Sequence, residues 1–282
     1  SDIFICSYPK SGTTWMQHIV LSLLLTDARD RGRDIPDYRH VSDYAPFYEI
    51  DPHWELCDGD CDGLYCLKQE IQDQHSRLGR RVFNTHLRWN MLPSLLQESS
   101  SDYSDDDAPK FIYVVRSPLD ACVSFYHHLS SQKEGQYVQG FSAFFEDWCN
   151  GKIPFGSWKD HIASFADGLV EQNVCRSSDG SFEKKCRKVM VVLYEDLVHN
   201  LAAEVDRISR FLGLDISEKK KGHLLPTFSF DSMKKDSNIS KFQPKSVTWI
   251  GDFKFLRKGC IGDSSSLITK EQELVFARSI SK

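Results

Sequence analysis

The feature that most constrains the fold is the opening stretch of the chain, residues 2–15, which reads DIFICSYPKSGTTW. The apolar run Ile3–Cys6 is typical of a strand that is buried on both faces. Pro9 and Gly12 predict a tight turn after it, and from Thr14 onward apolar residues recur at helical spacing. A strand, a turn and a helix in this order direct backbone N–H groups and the positive end of a helix dipole toward one place. The stretch therefore predicts a binding site for a phosphate-like anion.

The side chains of this loop fit the same interpretation. Lys10 adds a mobile positive charge, and Ser11, Thr13 and Thr14 add hydroxyl donors. The common mononucleotide-binding loop, G-x-x-x-x-G-K-[ST], has its lysine directly after the second glycine. Here Lys10 precedes Gly12, the only glycine of the loop, so that pattern is absent.

Length and charge exclude several classes of protein. A chain of 282 residues is long enough for one large α/β domain with a full core. Its formal charge of −5 and its pI near 6.1 argue against a nucleic-acid partner, which normally selects a basic protein. The longest apolar run, residues 19–25, is interrupted by Ser22 and is far shorter than the roughly 20 residues that cross a bilayer. No signal peptide is visible, and we expect neither a membrane nor a nucleic acid as partner.

The nine cysteines form no framework pattern, which favours reduced thiols in a cytoplasmic protein. Their one local cluster comprises Cys57, Cys61 and Cys66, with His53 and His75 nearby. Spacings of four and five do not match a C-x-x-C zinc site. We therefore interpret these as loop cysteines and expect no metal.

Three further strands are predicted at residues 81–85, 110–115 and 188–193, with helices between them. Strands that alternate with helices predict an α/β fold: a central parallel sheet flanked by helices. In such sheets, ligands bind beyond the carboxyl ends of the strands. The residues that follow the four predicted strand ends include Lys10, His86, Arg116 and Tyr194.

Several helix boundaries are also marked in the sequence. Ser117 and Pro118 are a favourable helix opening, and Gly151 is placed to end a helix that contains Phe141 and Trp148. Another helix is predicted between an Asn200 cap and Gly213. By contrast, residues 99–107 are predicted to form a solvated, mobile acidic loop.

Three motifs, in order along the chain, resemble those of the cytosolic sulfotransferases. Tyr8–Trp15 is similar to the loop that binds the 5′-phosphosulfate in that family, and Arg116–Ser124 is similar to its 3′-phosphate motif. Phe255–Asp263 resembles its C-terminal R-K-G-x-x-G-D signature. Weaker matches lie at residues 85–87, 156–158 and 194–196. The resemblance thus covers nearly the whole chain.

The resemblance implies one sulfotransferase domain over residues 1–282, preceded in the family by a short N-terminal segment that we expect is missing here. It implies 3′-phosphoadenosine 5′-phosphosulfate as donor and adenosine 3′,5′-bisphosphate as product. His86 would be the general base of an in-line displacement, and Lys10 would neutralise charge on the leaving oxygen. The implied nucleotide-binding residues are Lys10, Ser11, Gly12, Thr13, Thr14, Trp15, Arg116, Ser124, Tyr194, Ser229, Phe230, Phe255, Leu256, Arg257, Lys258 and Gly259.

The chain departs from the family pattern at several positions. Asn84 replaces a lysine that usually lies two residues before the histidine, and Phe228 replaces a threonine on the adenine side. Ser264 and Ser265 disrupt the family's short dimerisation motif, so monomer and dimer both stay open. His128 lies where the family commonly has an apolar pocket residue, which indicates either a more polar acceptor or a histidine bonded to backbone. Phenols, steroids and other small alcohols or amines all stay open as acceptors.

Four alternatives stay open from the sequence. One is a P-loop kinase or other phosphotransferase, in which Glu195 and Asp196 would hold a metal. Another is a catalytically silent nucleotide-binding protein, which the loss of the usual lysine at Asn84 would allow. A dehydratase that uses a sulfated intermediate is a third. A Golgi carbohydrate sulfotransferase, with an anchor outside this sequence, is the fourth.

Overall fold

The computed structural model describes residues 2–49, 53–56, 65–92, 109–173, 175–176, 182–183, 189–245 and 247–280. The acidic stretch 99–107 lies outside these residues, so its predicted mobility stays a prediction. The strands are β1 (Ile3–Ser7), β2 (Trp54–Leu56), β3 (Tyr65–Leu67), β4 (Val82–Thr85), β5 (Lys110–Val115), β6 (Cys175–Arg176), β7 (Phe182–Glu183) and β8 (Val189–Leu193). The helices are α1 (Thr13–Asp30), α2 (Gln69–Leu78), α3 (Pro118–Ser131), α4 (Phe141–Cys149), α5 (Trp158–Asn173), α6 (Tyr194–His199), α7 (Leu201–Leu212), α8 (Glu218–Leu224), α9 (Phe230–Lys234), α10 (Asp236–Ile239) and α11 (Lys270–Ile280).

The centre of the fold is a four-stranded parallel sheet in the order β4-β1-β5-β8. In the β1 register, Ile3 is paired with Val82 on one side and with Lys110 on the other. The predicted α/β class with a central parallel sheet is confirmed. Two boundaries differ from prediction: β1 runs one residue further, to Ser7, and Arg81 lies outside β4, where it is exposed and bonded to Asp2.

Both faces of this sheet are covered, which explains why β1 is buried along its whole length. Ile3 and Ile5 point toward a core that includes α1 and α7. Phe4 and Cys6 point the other way, toward a second core that includes α5. There Phe4 stacks on Phe83 and Phe111, with ring centroids 5.2 and 5.3 Å apart. A strand alternates side chains between two faces, so a continuous apolar run serves both cores.

The sequence predicts where these helices begin and end, but not always which side chains form hydrogen bonds at their ends. Pro118 is the first residue of α3, and Gly213 ends α7 in the left-handed conformation, with φ of 69°. Ser117 and Asn200 occupy the N-cap positions, yet neither side chain bonds to its helix. The backbone N–H of Ser117 instead donates to the Glu195 carboxylate at 2.9 Å. This bond ties the start of α3 to the start of α6, beside the end of β8.

Candidate active site

The loop between β1 and α1 has the backbone shape of an anion-binding turn. Lys10 and Gly12 both lie in the left-handed region, with φ of 66° and 105°. Gly12 is required for a second reason: a Cβ there would lie 2.9 Å from the Tyr194 ring. The Ser11 hydroxyl is buried and has no hydrogen-bond partner among the described residues. A buried hydroxyl is normally satisfied, so this one fits a ligand oxygen held by the loop.

Arg116 lies just past the end of β5 and is 8% exposed. Its guanidinium donates to the carbonyls of Lys10 and Cys260, both at 3.1 Å, and its charge lies 4.5 Å from the centre of the Tyr194 ring. Within the described part of the chain its Nε–H has no acceptor. Arg116 therefore connects the opening loop to the C-terminal segment and keeps a buried, charged donor for a further anion.

The C-terminal segment is held over the site by two buried carboxylates. Asp120 on α3 accepts the backbone N–H groups of Gly262 and Ser264 at 2.7 and 2.8 Å. Asp263 accepts hydrogen bonds from Arg257 and Lys258. These bonds place two further cations beside Arg116. Because Arg257 is partly buried and faces the charge of Arg116, its pKa is lowered from its ordinary value.

His86 follows β4 directly and its ring lies between the edges of Phe47 and Phe155, with centroids 5.1 and 5.3 Å away. Nδ1 lies 2.7 Å from the Ser7 carbonyl, to which only an N–H can donate. This partner assigns the proton to Nδ1 and leaves the lone pair on Nε2. Burial, with the Lys10 charge nearby, lowers the pKa of His86 to about 4. The imidazole is therefore neutral at physiological pH and can accept a proton.

Lys10 extends into the same region. Its ammonium donates to Nδ1 of His128 at 3.3 Å and lies 4.2 Å from the centre of the Phe255 ring. Burial, together with the charges of Arg116 and Arg257, lowers the pKa of Lys10 to about 7. A nearby anion would reverse this effect, since it favours the charged form.

These groups line one cavity of about 510 Å³. The predicted site residues that line it are Lys10, Gly12, Thr13, Thr14, Trp15, His86, Arg116, Ser124, Tyr194, Phe230, Phe255, Leu256, Arg257, Lys258 and Gly259. Sequence positions from the opening loop to residue 259 are thus brought together. The functional roles given to these residues stay predictions.

Two predicted residues are placed differently. Ser229 is exposed and does not line the cavity; its hydroxyl accepts the N–H of Ser232 and caps α9. Ser11 is fully buried and is not among the residues that line the cavity. The Trp15 indole donates to the Phe228 carbonyl at 2.7 Å and meets Tyr194 edge-on, with centroids 5.6 Å apart.

The positions that depart from the family pattern have clear structural roles. Asn84 is buried, and its side-chain amide donates to the Ala45 carbonyl at 2.8 Å, so it supplies no charge to the cavity it lines. Phe228 is fully buried; its carbonyl accepts the Trp15 indole N–H and its ring contacts that of His18. Ser264 contacts Asp120 through its backbone.

Two residues whose side chains contact the backbone of His86 were not predicted from the sequence. Glu49 accepts the backbone N–H of His86 at 2.5 Å, and His161 on α5 lies 3.1 Å from its carbonyl. Burial raises the pKa of Glu49 to about 7. These contacts join residues 37 and 75 positions apart. His161 lies close to the weak match at 156–158, which was the only signal that could have found it.

The structure describes only part of the cluster of Cys57, Cys61, Cys66, His53 and His75. His75 is buried and bonds to the Tyr44 carbonyl at 2.8 Å, while Cys57 and Cys61 lie outside the described residues. Within the described ranges no group of three or more histidine, cysteine or acidic residues is placed to hold a metal ion.

A family model described as the sulfotransferase domain matches residues 1–282. The chain belongs to the sulfotransferase family. A "Cytosolic sulfotransferase 1" of Danio rerio is 30% identical to it over 280 residues, covering 98% of this chain and 80% of the relative. The luciferin sulfotransferase of Photinus pyralis is 28% identical over 256 residues, covering 86% of this chain and 59% of the relative. These matches confirm the predicted family and the enzyme class, and the chain spans less than two thirds of the Photinus protein.

The fold comparison agrees with the sequence matches. The crystal structure of mouse sulfotransferase SULT7A1 complexed with PAP covers 99% of this sulfotransferase and 82% of its own chain, with a TM-score of 0.64 and 23% identity. At this level of identity the likeness shows the fold. None of the helices in the described ranges has the length and apolar character needed to cross a membrane.

Proposed function

We propose that this sulfotransferase moves a sulfuryl group from 3′-phosphoadenosine 5′-phosphosulfate to a hydroxyl or amine of a small acceptor. The observation that carries the proposal is a single cavity with two cationic regions and a neutral imidazole at the edge of one sheet. One region is the opening loop with Lys10, and the other comprises Arg116, Arg257 and Lys258. The nucleotide carries phosphate groups at two positions of one ribose, which matches a cavity lined by four basic side chains.

The residues present fit this nucleotide on structural grounds. The Arg116 Nε–H, which is buried and unpartnered within the described residues, would donate to a phosphate oxygen. The loop would hold the 5′-phosphosulfate, while Arg116 and Ser124 would hold the 3′-phosphate. Trp15 and Tyr194 would contact the base. The mouse neighbour was crystallised as a complex with PAP, which supports the same ligand here.

The chemistry follows from the same groups. The donor supplies the sulfuryl group: with a hydroxyl acceptor, a sulfur–oxygen bond forms to the acceptor oxygen as the sulfur–oxygen bond to the 5′-phosphate breaks. Nε2 of His86 takes the hydroxyl proton as the acceptor attacks. The Lys10 ammonium stabilises the negative charge of the bisphosphate that leaves, as preorganised cations do in phosphoryl transfer.

Binding of adenosine 3′,5′-bisphosphate should weaken at alkaline pH because Lys10 loses its charge there. The pKa of Lys10 in the free protein is about 7, so rising pH leaves a neutral amine that must take up a proton to bind the anion. We expect affinity to fall about tenfold between about pH 7 and about pH 8.5. Calorimetry across this pH range measures the affinity. Lys10→Met should flatten the alkaline part of the plot of affinity against pH. His86 and His128, with pKa values of about 4 and about 2, do not titrate in this window, whereas Glu49, with a pKa of about 7, does; any part of the profile that persists in Lys10→Met belongs to such other groups.

The donor question is tested most directly by thermal shift with adenosine 3′,5′-bisphosphate, ATP and AMP. A ligand that binds only the folded state at 100 times its Kd adds about 2.7 kcal/mol, which raises the Tm by several degrees in a chain of this size. We expect selective stabilisation by the bisphosphate. A larger shift with ATP and magnesium would contradict the proposal and favour a P-loop phosphotransferase.

The acceptor is proposed to be a small molecule. The part of the cavity beside His86 is lined by the rings of Phe47 and Phe155, with His128 as a polar group in the wall. The relatives' names, luciferin sulfotransferase among them, support a small hydroxylated acceptor. A cytoplasmic location is likewise proposed, from the name of the Danio relative.

A second candidate is a nucleotide-binding member that transfers slowly or not at all. Asn84 favours it, because its amide is used in a structural bond and the cation implied by the family pattern is missing. Transfer of labelled sulfate to a panel of phenols, steroids and alcohols separates the two. Tight bisphosphate binding with no labelled product from any acceptor would support the second candidate.

A further inference from the structure

The position of His86 is fixed by contacts on three sides. Its backbone N–H donates to Glu49 and its Nδ1–H donates to the Ser7 carbonyl. Its backbone carbonyl lies 3.1 Å from Nε2 of His161. Each contact removes one way in which the residue could turn after the end of β4. Together they leave Nε2 as the nitrogen that can accept a proton from the acceptor.

The contact from His161 has a defined direction. A carbonyl can only accept, so Nε2 of His161 carries the hydrogen and Nδ1 carries the lone pair. That lone pair accepts the hydroxyl hydrogen of Tyr113 at 2.8 Å. Burial lowers the pKa of His161 to about 3, so the ring is neutral and has one hydrogen to give. The hydrogen-bond chain therefore runs from Tyr113 through His161 to the carbonyl of His86.

The ring of His161 has little room to move. It is 0% exposed and stacks on Tyr113 and Phe165, with centroids 5.7 and 5.4 Å apart and interplanar angles of 18° and 21°. The ring of Tyr8 meets it edge-on at 5.7 Å. Neither His161 nor Tyr113 lines the cavity. His161 therefore does not contact a ligand in the cavity itself, and its hydrogen bond to the carbonyl of His86 connects it to the site.

We propose that His161, oriented by the Tyr113 hydroxyl, is a positioning residue that fixes the direction in which Nε2 of His86 points. The inference rests on the proposed function, since it takes His86 to be the base. Orientation matters because misplacement of a reacting group by about 1 Å can cost about a hundredfold in rate. A second element, α5, thus sets the geometry of a residue at the end of β4.

The test compares His161→Phe with His161→Gln. Phenylalanine keeps a stacked ring but loses the donor, whereas glutamine can place an amide N–H near the same carbonyl. We expect His161→Phe to lower kcat by about 10- to 100-fold with the Kd for adenosine 3′,5′-bisphosphate unchanged. His161→Gln should recover most of that loss. Tyr113→Phe, which frees the tautomer of His161, should give a smaller loss of about threefold to tenfold.

The matched control is Phe165→Leu. Phe165 is 1% exposed and stacks on the rings of Tyr113 and His161, with its centroid 3.8 Å from that of Tyr113. Its side chain cannot donate a hydrogen bond to His86, as that of His161 does. This variant should lower the Tm and leave kcat near the wild-type value. If it reduces kcat as much as His161→Phe does, packing explains the effect and the inference is wrong.

A measurement that needs no turnover separates this inference from the proposed function. Nitrogen-15 shifts of the His86 ring in the ligand-free protein report which nitrogen carries the hydrogen. We expect the Nδ1–H form in the wild type and in His161→Gln. In His161→Phe the carbonyl of His86 loses its donor, so the ring should move away from the Ser7 carbonyl that selects Nδ1–H and both forms should be present. If the wild type transfers no sulfate while these spectra differ as expected, the proposed function fails and the positioning role stands. Identical spectra and identical kcat in His161→Phe would overturn the role itself.

Discussion

Replacing His86 with alanine should lower turnover at least about a hundredfold while binding of adenosine 3′,5′-bisphosphate persists. The imidazole is neutral at physiological pH, its Nδ1–H is committed to the Ser7 carbonyl, and its lone pair is on Nε2. Without it, the acceptor hydroxyl must lose its proton to water. Steady-state kinetics with a sulfate acceptor, together with calorimetry of the bisphosphate, measures both parts of the prediction.

His86→Asn makes this test sharper. The asparagine amide can donate to the Ser7 carbonyl in place of Nδ1–H, but it offers no base at the position of Nε2. If His86 is the base, asparagine and alanine lose turnover alike. If asparagine restores near-normal turnover, the histidine is structural and the proposed mechanism is wrong. The exposed His199 of α6 provides a matched control, since His199→Asn should change neither quantity.

The parts of the site that the sequence could predict are those encoded in short contiguous stretches. The turn at Lys10 and Gly12, the arginine after β5 and the helix start at Pro118 each depend on neighbours within a few residues. The contacts that hold His86 could not be predicted in this way. Glu49 and His161 contact it only because the fold brings distant segments together, and apart from the weak match near His161 their local sequence does not mark such a partner.

The placement of Ser229 also shows what the sequence alone could not predict. The resemblance predicts this serine among the nucleotide-binding residues, but serine is also a preferred N-cap, and in this fold its hydroxyl caps α9. Its side chain therefore serves a local bond and faces solvent. The resemblance locates the right segment, while the direction of one side chain depends on the backbone around it.

The charge of the site is likewise local. The chain has a formal charge of −5, yet one cavity is lined by Lys10, Arg116, Arg257 and Lys258. At physiological ionic strength exposed charges are screened beyond about 8 Å, so the acidic surface elsewhere weakens this field little. The cavity can therefore attract a multiply charged anion although the whole chain is acidic.

Replacing Arg116 with methionine should weaken binding of adenosine 3′,5′-bisphosphate at least about thirtyfold. Removing one partner of a buried, hydrogen-bonded charge pair costs about 2–5 kcal/mol, and every 1.4 kcal/mol is about tenfold in Kd. Arg116 is 8% exposed and keeps a buried Nε–H that no described residue accepts. Calorimetry measures the loss of affinity. Arg116→Lys keeps the charge but not the planar guanidinium, so its Kd should lie between those of the wild type and Arg116→Met.

Comparison with AMP shows whether Arg116 acts on the 3′-phosphate or on the fold of the site. AMP lacks that phosphate and should bind more weakly. If Arg116 binds the 3′-phosphate, the Kd for AMP should change less than about threefold in Arg116→Met, because contacts outside the main binding groups contribute little energy. The guanidinium also bonds to the carbonyls of Lys10 and Cys260, so a variant that distorts the loop would lose both ligands equally. Arg81→Met, at an exposed arginine bonded to Asp2 outside the cavity, should leave both affinities unchanged. Equal losses for the two nucleotides would mean that Arg116 shapes the loop rather than binding the 3′-phosphate.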